Sequence, residues 1–262
     1  MTINPYSPIA SSSMSGINPT TQSLTTGSRI NSAADDAAGL AIITALSTQI
    51  NSQDMATRNA NDGISMLQTA DGASESIGAS LQRMNELSLQ AMNGTYSTSQ
   101  RQMMNEEFQQ NLLSISQIAE TTNFNGNKLL NGDAASMDIA LGSNSTSSLT
   151  LPNFSTAGLS IDALNITNPA NAALASEGIT AALEQLTTAR SEFGAQQNGL
   201  SSAIENIGSQ NMNTMASRSQ ISDTDFAKAS AEQAKQSILN QSAIAMQSQG
   251  MQSKAAVLQL LN

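Results

Sequence analysis

The chain has 262 residues, 3% of them aromatic, with no Trp, no Cys and no His. Without Cys and His it has no disulfides, no thiolate or imidazole chemistry and none of the usual zinc ligands. Twenty acids oppose ten bases, a formal charge of −10, and the bases are scattered singly; no basic stripe neutralises a phosphate backbone, so nucleic acid is excluded as a partner.

The apolar inventory is Ala, Leu, Ile and Met, which suits thin helical layers better than a thick core. Such a chain buries little per residue, and part of it is expected to be ordered only by partner subunits. The longest apolar stretch, residues 37–43, falls far short of the roughly 20 residues that span a membrane. No apolar segment follows the start Met, so no Sec-type signal is expected. The chain is either cytoplasmic or leaves by a route that reads another signal.

Pro5, Pro8 and Pro19 interrupt residues 1–19, so a broken or short amphipathic helix is expected there. Helical period then runs from Leu40 to Met92. Its apolar stripe is Ala60, Ile64, Leu67, Ala70, Ala73, Ile77, Leu81, Met84, Leu87 and Ala91, longer than an ordinary globular helix. Asn93-Gly94-Thr95 ends it, with Gly94 placed for a left-handed cap. A second helix starts near Ser99, with Met104, Phe108, Leu112, Ile115 and Ile118 on its apolar line. Residues 123–127 (NFNGN) and 131–133 are turn signals. Residues 137–151 alternate about a Gly/Asn turn, which predicts a β-hairpin of unassigned register. Residues 152–172, with Pro152 and Pro169, read as loop.

Ile179, Leu186, Phe193, Leu200 and Ile207 then recur every seven residues beside a mixed line at Leu183, Arg190, Gln197 and Ile204, a coiled-coil-like seam. Residues 222–262 read as helix, with Asp223 and Asp225 in the opening turn, where the helix dipole favours them. The run Val257, Leu258, Leu260, Leu261 is apolar; an exposed end of that kind frays in water and calls for a partner. The thirteen methionines are read chiefly as core, because many fall on helical apolar lines. The GxGxxG and GxxxxGK spacings are absent, so the glycines are read as packing or caps rather than a phosphate loop. The acid pairs Asp35-Asp36 and Glu106-Glu107 point apart on a helix, which disfavours catalysis.

Several stretches resemble bacterial flagellin. Residues 24–40 read LTTGSRINSAADDAAGL, 58–65 RNANDGIS and 81–91 LQRMNELSLQA, followed by NFNG at 123. Toward the other end stand ASRSQI at 216–221, DTDFA at 223–227 and VLQLLN at 257–262. The matches keep their order over roughly residues 20–135 and 175–262. The prolines in residues 1–19 depart from the continuous helix usual in the family.

The resemblance implies a mainly α fold: a long helical coiled-coil bundle with a small β-hairpin, an elongated rod plus terminal coiled-coil arms. Residues 1–35 and 221–262 would form the inner coiled coil and 36–220 the rod. Only residues 136–172 lie between the matched regions, too short for a large outer domain. The implied function is a structural, non-enzymatic subunit of the bacterial flagellar filament, extracellular and exported by the flagellar type III route, without cofactor. A hook–filament junction protein, or another secreted coiled-coil surface protein, is the alternative. The HExxH protease helix carried by some flagellin inserts has no counterpart in a chain without His. Implied partners are further copies of the chain, cap and hook-junction proteins, and a secretion chaperone on the C-terminal arm. An animal innate-immune flagellin receptor joins them through Gln82, Arg83, Glu86, Leu87, Gln90 and Glu107, with Leu87 as apolar anchor. Polymerisation candidates are Arg29, Asn31, Asp35 and Asp36 in a connecting segment, and Val257, Leu258, Leu260 and Leu261.

Overall fold

A computed structural model describes residues 17–142 and 145–260, with side chains described from Pro19 to Ser253. The expectation for residues 1–19 lies, up to residue 16, outside the described residues.

Helix α1 (Ile17–Thr26) carries Pro19 in its first turn, where a missing N–H costs no helical bond. It ends at Gly27, whose φ of +70° is the left-handed geometry that caps a helix without a Cβ clash. Helix α2 (Ala37–Met92) is 56 residues long and is capped by Asp36, whose Oδ1 accepts from Gly39 N at 2.8 Å. Helix α3 (Thr98–Thr121) opens on a capping box: Ser97 Oγ accepts from Gln100 N, and Gln100 Oε1 accepts from Ser97 N.

The end of α2 differs from expectation. Gly94 is not left-handed among the positive-φ residues. Asn93 Oδ1 instead accepts from Thr95 N and Oγ1, and the Arg101 guanidinium donates to Ala91 O at 2.9 Å and Asn93 O at 3.0 Å. A cation placed on the last carbonyls removes the need for a glycine cap. Arg101 is only 8% exposed. Arg101→Ala is expected to cost about 2 kcal/mol, the worth of buried hydrogen bonds from a charged group. The check is a lower urea midpoint at unchanged slope.

Strands β1 (Asn123–Phe124) and β2 (Asn127–Lys128) form a minimal hairpin. Its turn residues Asn125 and Gly126 have φ of +50° and +84°, as a two-residue hairpin with the twist of its strands demands. Strands β3 (Ser136–Ala140) and β4 (Thr146–Thr150) are the expected hairpin, antiparallel with Met137 opposite Leu149 and Ile139 opposite Ser147. Helix α4 (Pro169–Ser222) starts inside the segment read as loop. Pro169 occupies its first position, and Asn168 Oδ1 accepts from Asn171 N at 2.8 Å; proline there begins a helix rather than breaking one. Helix α5 (Phe226–Leu260) begins later than the expected residue 222, because α4 runs to Ser222 and Asp225 Oδ1 accepts from Lys228 N as the cap.

The chain divides into two compact units, one from residues 1–50 with 212–262 and one from 51–211. The middle unit holds the main core. Nearly the whole α2 stripe is buried, and Ile179, Leu186, Phe193, Leu200 and Ile207 are all at most 8% exposed. Two polar residues on the companion side meet aspartates of α2: Arg190 Nε donates to Asp71 at 2.7 Å, and Asn211 Nδ2 to Asp54 at 2.7 Å. Residues 152–168 are irregular yet packed, with Phe154, Leu159, Ile161 and Ile166 buried. Asn105 Oδ1 and Gln109 Nε2 of α3 bond their backbone at Ile166 N and Leu164 O, which satisfies groups that a buried loop would otherwise leave orphaned.

The methionine reading needs correction. Met66 and Met84 are buried and Met104 and Met137 partly so, but Met55, Met92, Met103, Met212, Met215, Met246 and Met251 are exposed. Helical spacing places a residue on a line; whether another helix covers that line is a tertiary matter.

Candidate functional site

The unit built from both ends is joined at residues 27–36 and 221–225. Arg29 N donates to Ser222 O at 2.6 Å, and Thr224 N to Gly27 O at 2.9 Å. The Arg29 guanidinium reaches Ile221 O at 2.8 Å, and Ser28 Oγ lies 2.9 Å from Ser222 Oγ. Asn31 Nδ2 donates to Ser28 O. Two segments almost two hundred residues apart are therefore stitched through backbone groups.

The adjacent aspartates have separate tasks, as their geometry on the chain requires. Asp36 caps α2. Asp35 Oδ2 accepts from Asn31 N, Ser32 N and Ser32 Oγ at 3.0, 2.9 and 3.1 Å. Those backbone donors, Asn31 first, hold the Asp35 carboxyl below the usual aspartate range. A depressed folded pKa contributes stability that is present above the unfolded value and lost as pH falls through the folded one. Acidification through that window is expected to lower the protection of the Asn31 and Ser32 amides, measured against their intrinsic exchange rates, in the wild type but not in the Asp35→Asn variant. A leaves-no-room contact also sits here: a Cβ on Gly39 would meet Asp36 Oδ2 and Ile30 Cδ1 at 2.6 Å.

On the middle unit, Arg83 of α2 bridges two carboxylates. Its Nε donates to Glu107 of α3 at 2.7 Å and its Nη1 to Glu86 at 3.0 Å. These bonds, Glu107 first, push the guanidinium pKa above its ordinary value. Gln82 is exposed, and Gln90 Nε2 donates to Tyr96 Oη at 2.9 Å. The turn after α2 thus brings Glu107 to the strip carried by Gln82, Arg83, Glu86 and Gln90. Leu87 is placed otherwise. It is 2% exposed, in the core, because its position continues the stripe of Leu81 and Met84; it is no surface anchor.

The candidates Val257, Leu258, Leu260 and Leu261 lie outside the residues whose side chains are described. The described part of α5 is nearly all exposed, including Phe226, Ile238, Leu239, Ile244, Met246 and Met251. These exposed residues are absent from the sequence-derived candidates; their recurrence along the helix is the signal that marks them.

Long amphipathic helices, ends that join each other and a terminal helix that leaves large apolar side chains exposed define a structural helical protein. The comparisons make the class specific. The model for the bacterial flagellin N-terminal helical region matches residues 4–135, and that for the C-terminal helical region matches 176–261. A flagellin of Halalkalibacterium halodurans is 40% identical over 244 residues, covering 92% of this chain and 90% of that protein. A flagellin of Listeria monocytogenes is 33% identical, covering 94% and 92%. The crystal structure of Bacillus cereus flagellin aligns at a TM-score of 0.53 and 32% identity, over 62% of this chain and 94% of that one. A putative flagellar hook-associated protein from Vibrio parahaemolyticus aligns at 0.63 over 72% of this chain and all of that one, but at 17% identity, which shows the fold alone and does not favour the junction-protein alternative. The chain belongs to the bacterial flagellin family and is a structural subunit of the flagellar filament.

Proposed function

We propose that the two ends of the chain drive polymerisation, with residues 1–35 and 221–262 contributing to the filament's inner coiled coil and 36–220 forming the rod. The observation that carries this is the exposed apolar side of α5, since large uncovered apolar surfaces mark association sites. The separation into a unit made from both ends and a unit made from the middle supports it. The segment holding Arg29, Asn31, Asp35 and Asp36 packs between subunits, and the candidates Val257, Leu258, Leu260 and Leu261 extend the associating face.

The filament is extracellular and without catalytic activity or cofactor. Before export by the flagellar type III route the C-terminal arm is held by a secretion chaperone. Cap and hook-junction proteins bound the polymer. The strip of Gln82, Arg83, Glu86, Gln90 and Glu107 is readable by an innate-immune receptor on free monomer. Sedimentation of purified chain with short filament seeds tests the reading. Full-length chain elongates the seeds; a chain lacking residues 253–262 stays soluble and helical. Normal filaments from the truncated chain would overturn the role of the C-terminal arm.

A further inference from the structure

The formal charge is unevenly placed. Residues 51–211 hold fifteen acids against five bases, whereas the unit built from the two ends holds five of each. The middle unit therefore carries the whole excess of −10, and copies brought side by side repel. Of its five cations, Arg83 and Arg190 are in ion pairs and Arg101 is bound to carbonyls. Arg58 and Lys128 are without a side-chain partner among the described residues. Lys128 adjoins the buried Leu129 and Leu130, but Arg58 lies one turn from Met55, an apolar side chain 52% exposed on the same helix. Met55 and Arg58 make a ridge with an apolar and a cationic end.

A surface of matching chemistry lies at the other end of the unit. An open groove of about 490 Å³ runs between α2 and α4. Leu89 and Met92 of α2 form one wall, 56% and 41% exposed. Ala173 and Ser176 of α4 keep the floor low, and Glu177 and Glu184 stand on the rim, seven residues apart on one face. Neither glutamate's carboxylate has an ion-pair or hydrogen-bond partner among the described residues. Nearby Leu174, 62% exposed, adds apolar surface.

We propose that this groove receives the Met55–Arg58 ridge of a second copy, Met55 against Leu89 and Met92, Arg58 between Glu177 and Glu184. The inference rests on the polymer reading above and names a contact within it. The unit cannot make this contact with itself. Met55 and Leu89 are 34 residues apart on one continuous helix, about 50 Å at 1.5 Å per residue. Two different patches at opposite ends of one unit join copies head to tail, and such a contact extends into an open array rather than closing on a pair. It also places Arg58, an exposed cation without a side-chain partner among the described residues, where two carboxylates would otherwise face a like-charged neighbour.

The absence of native Cys makes the test direct. The full chain carrying R58C and E177C is polymerised on seeds and treated with a short bismaleimide. The expected result is a ladder of covalent dimers, trimers and longer species, absent from unpolymerised monomer and from either single variant. A second arm reverses charge. R58E is expected to slow elongation about tenfold or more, as loss of an interface arginine typically does, and E177R with E184R on the same chain restores it. Circular dichroism confirms that each variant is folded. Filaments without a ladder, or R58E elongating like wild type, overturn the contact while leaving the polymer reading standing. Wild-type chain that does not elongate at all overturns both.

Discussion

Replacing Leu239 and Met246 together by Gln is expected to raise the critical concentration for seeded elongation about a hundredfold or more, since burying one such side chain is worth roughly 1.5–3 kcal/mol and every subunit repeats the contact. The two positions are seven residues apart and share a face of α5, 57% and 74% exposed. Gln keeps helix propensity close to that of Leu and Met, so monomer helicity should not change. Sedimentation at graded concentrations measures the effect, and circular dichroism supplies the control. Unchanged elongation would mean that this face of α5 stays in water in the filament, and would remove the main physical support for end-driven polymerisation.

Arg83→Ala and Leu87→Ala should separate two roles that sit four residues apart. Under the proposed receptor reading, Arg83→Ala weakens binding of free monomer to the receptor ectodomain at least about tenfold, as truncating a central interface arginine does. Its side chain is half exposed and its ion pairs are with the exposed Glu86 and Glu107, so thermal stability should hardly move. Leu87→Ala should do the reverse. It opens a cavity in the core, at a cost of about 2–5 kcal/mol, and affects binding only through the fraction unfolded. The measurements are monomer binding and denaturant midpoints on both variants. Wild-type monomer that does not bind would dispose of the receptor reading; a Leu87→Ala chain of wild-type stability would contradict its place in the core.

Much of the fold was legible because helices of this length repeat their signal. The α2 stripe from Ala60 to Ala91 and the seven-residue line from Ile179 to Ile207 are buried as periodicity required, and the hairpin over 136–150 was visible in its alternation. The misreadings fall where one residue type serves two ends. Pro169 reads as loop and begins a helix; Gly94 reads as a cap and is relieved of that task by Arg101, whose side chain reaches a carbonyl ten residues back. Leu87 stands on the apolar stripe by its phase and in the receptor face only by family resemblance; the structure keeps it in the core.

By itself, the sequence determined the class of secondary structure, the two long apolar stripes, the missing Cys and His chemistry and the family. Each of these depends on local period or on residue identity, which do not need coordinates. Only the tertiary structure decided which lines are covered, so that Met84 is core while Met246 is bare. It alone joined Arg29 to Ser222 and Arg83 to Glu107, and it alone left Arg58 exposed one turn from the bare Met55. Those are consequences of which helix lies against which, and pairings across tens to hundreds of residues leave no periodic trace in a single chain.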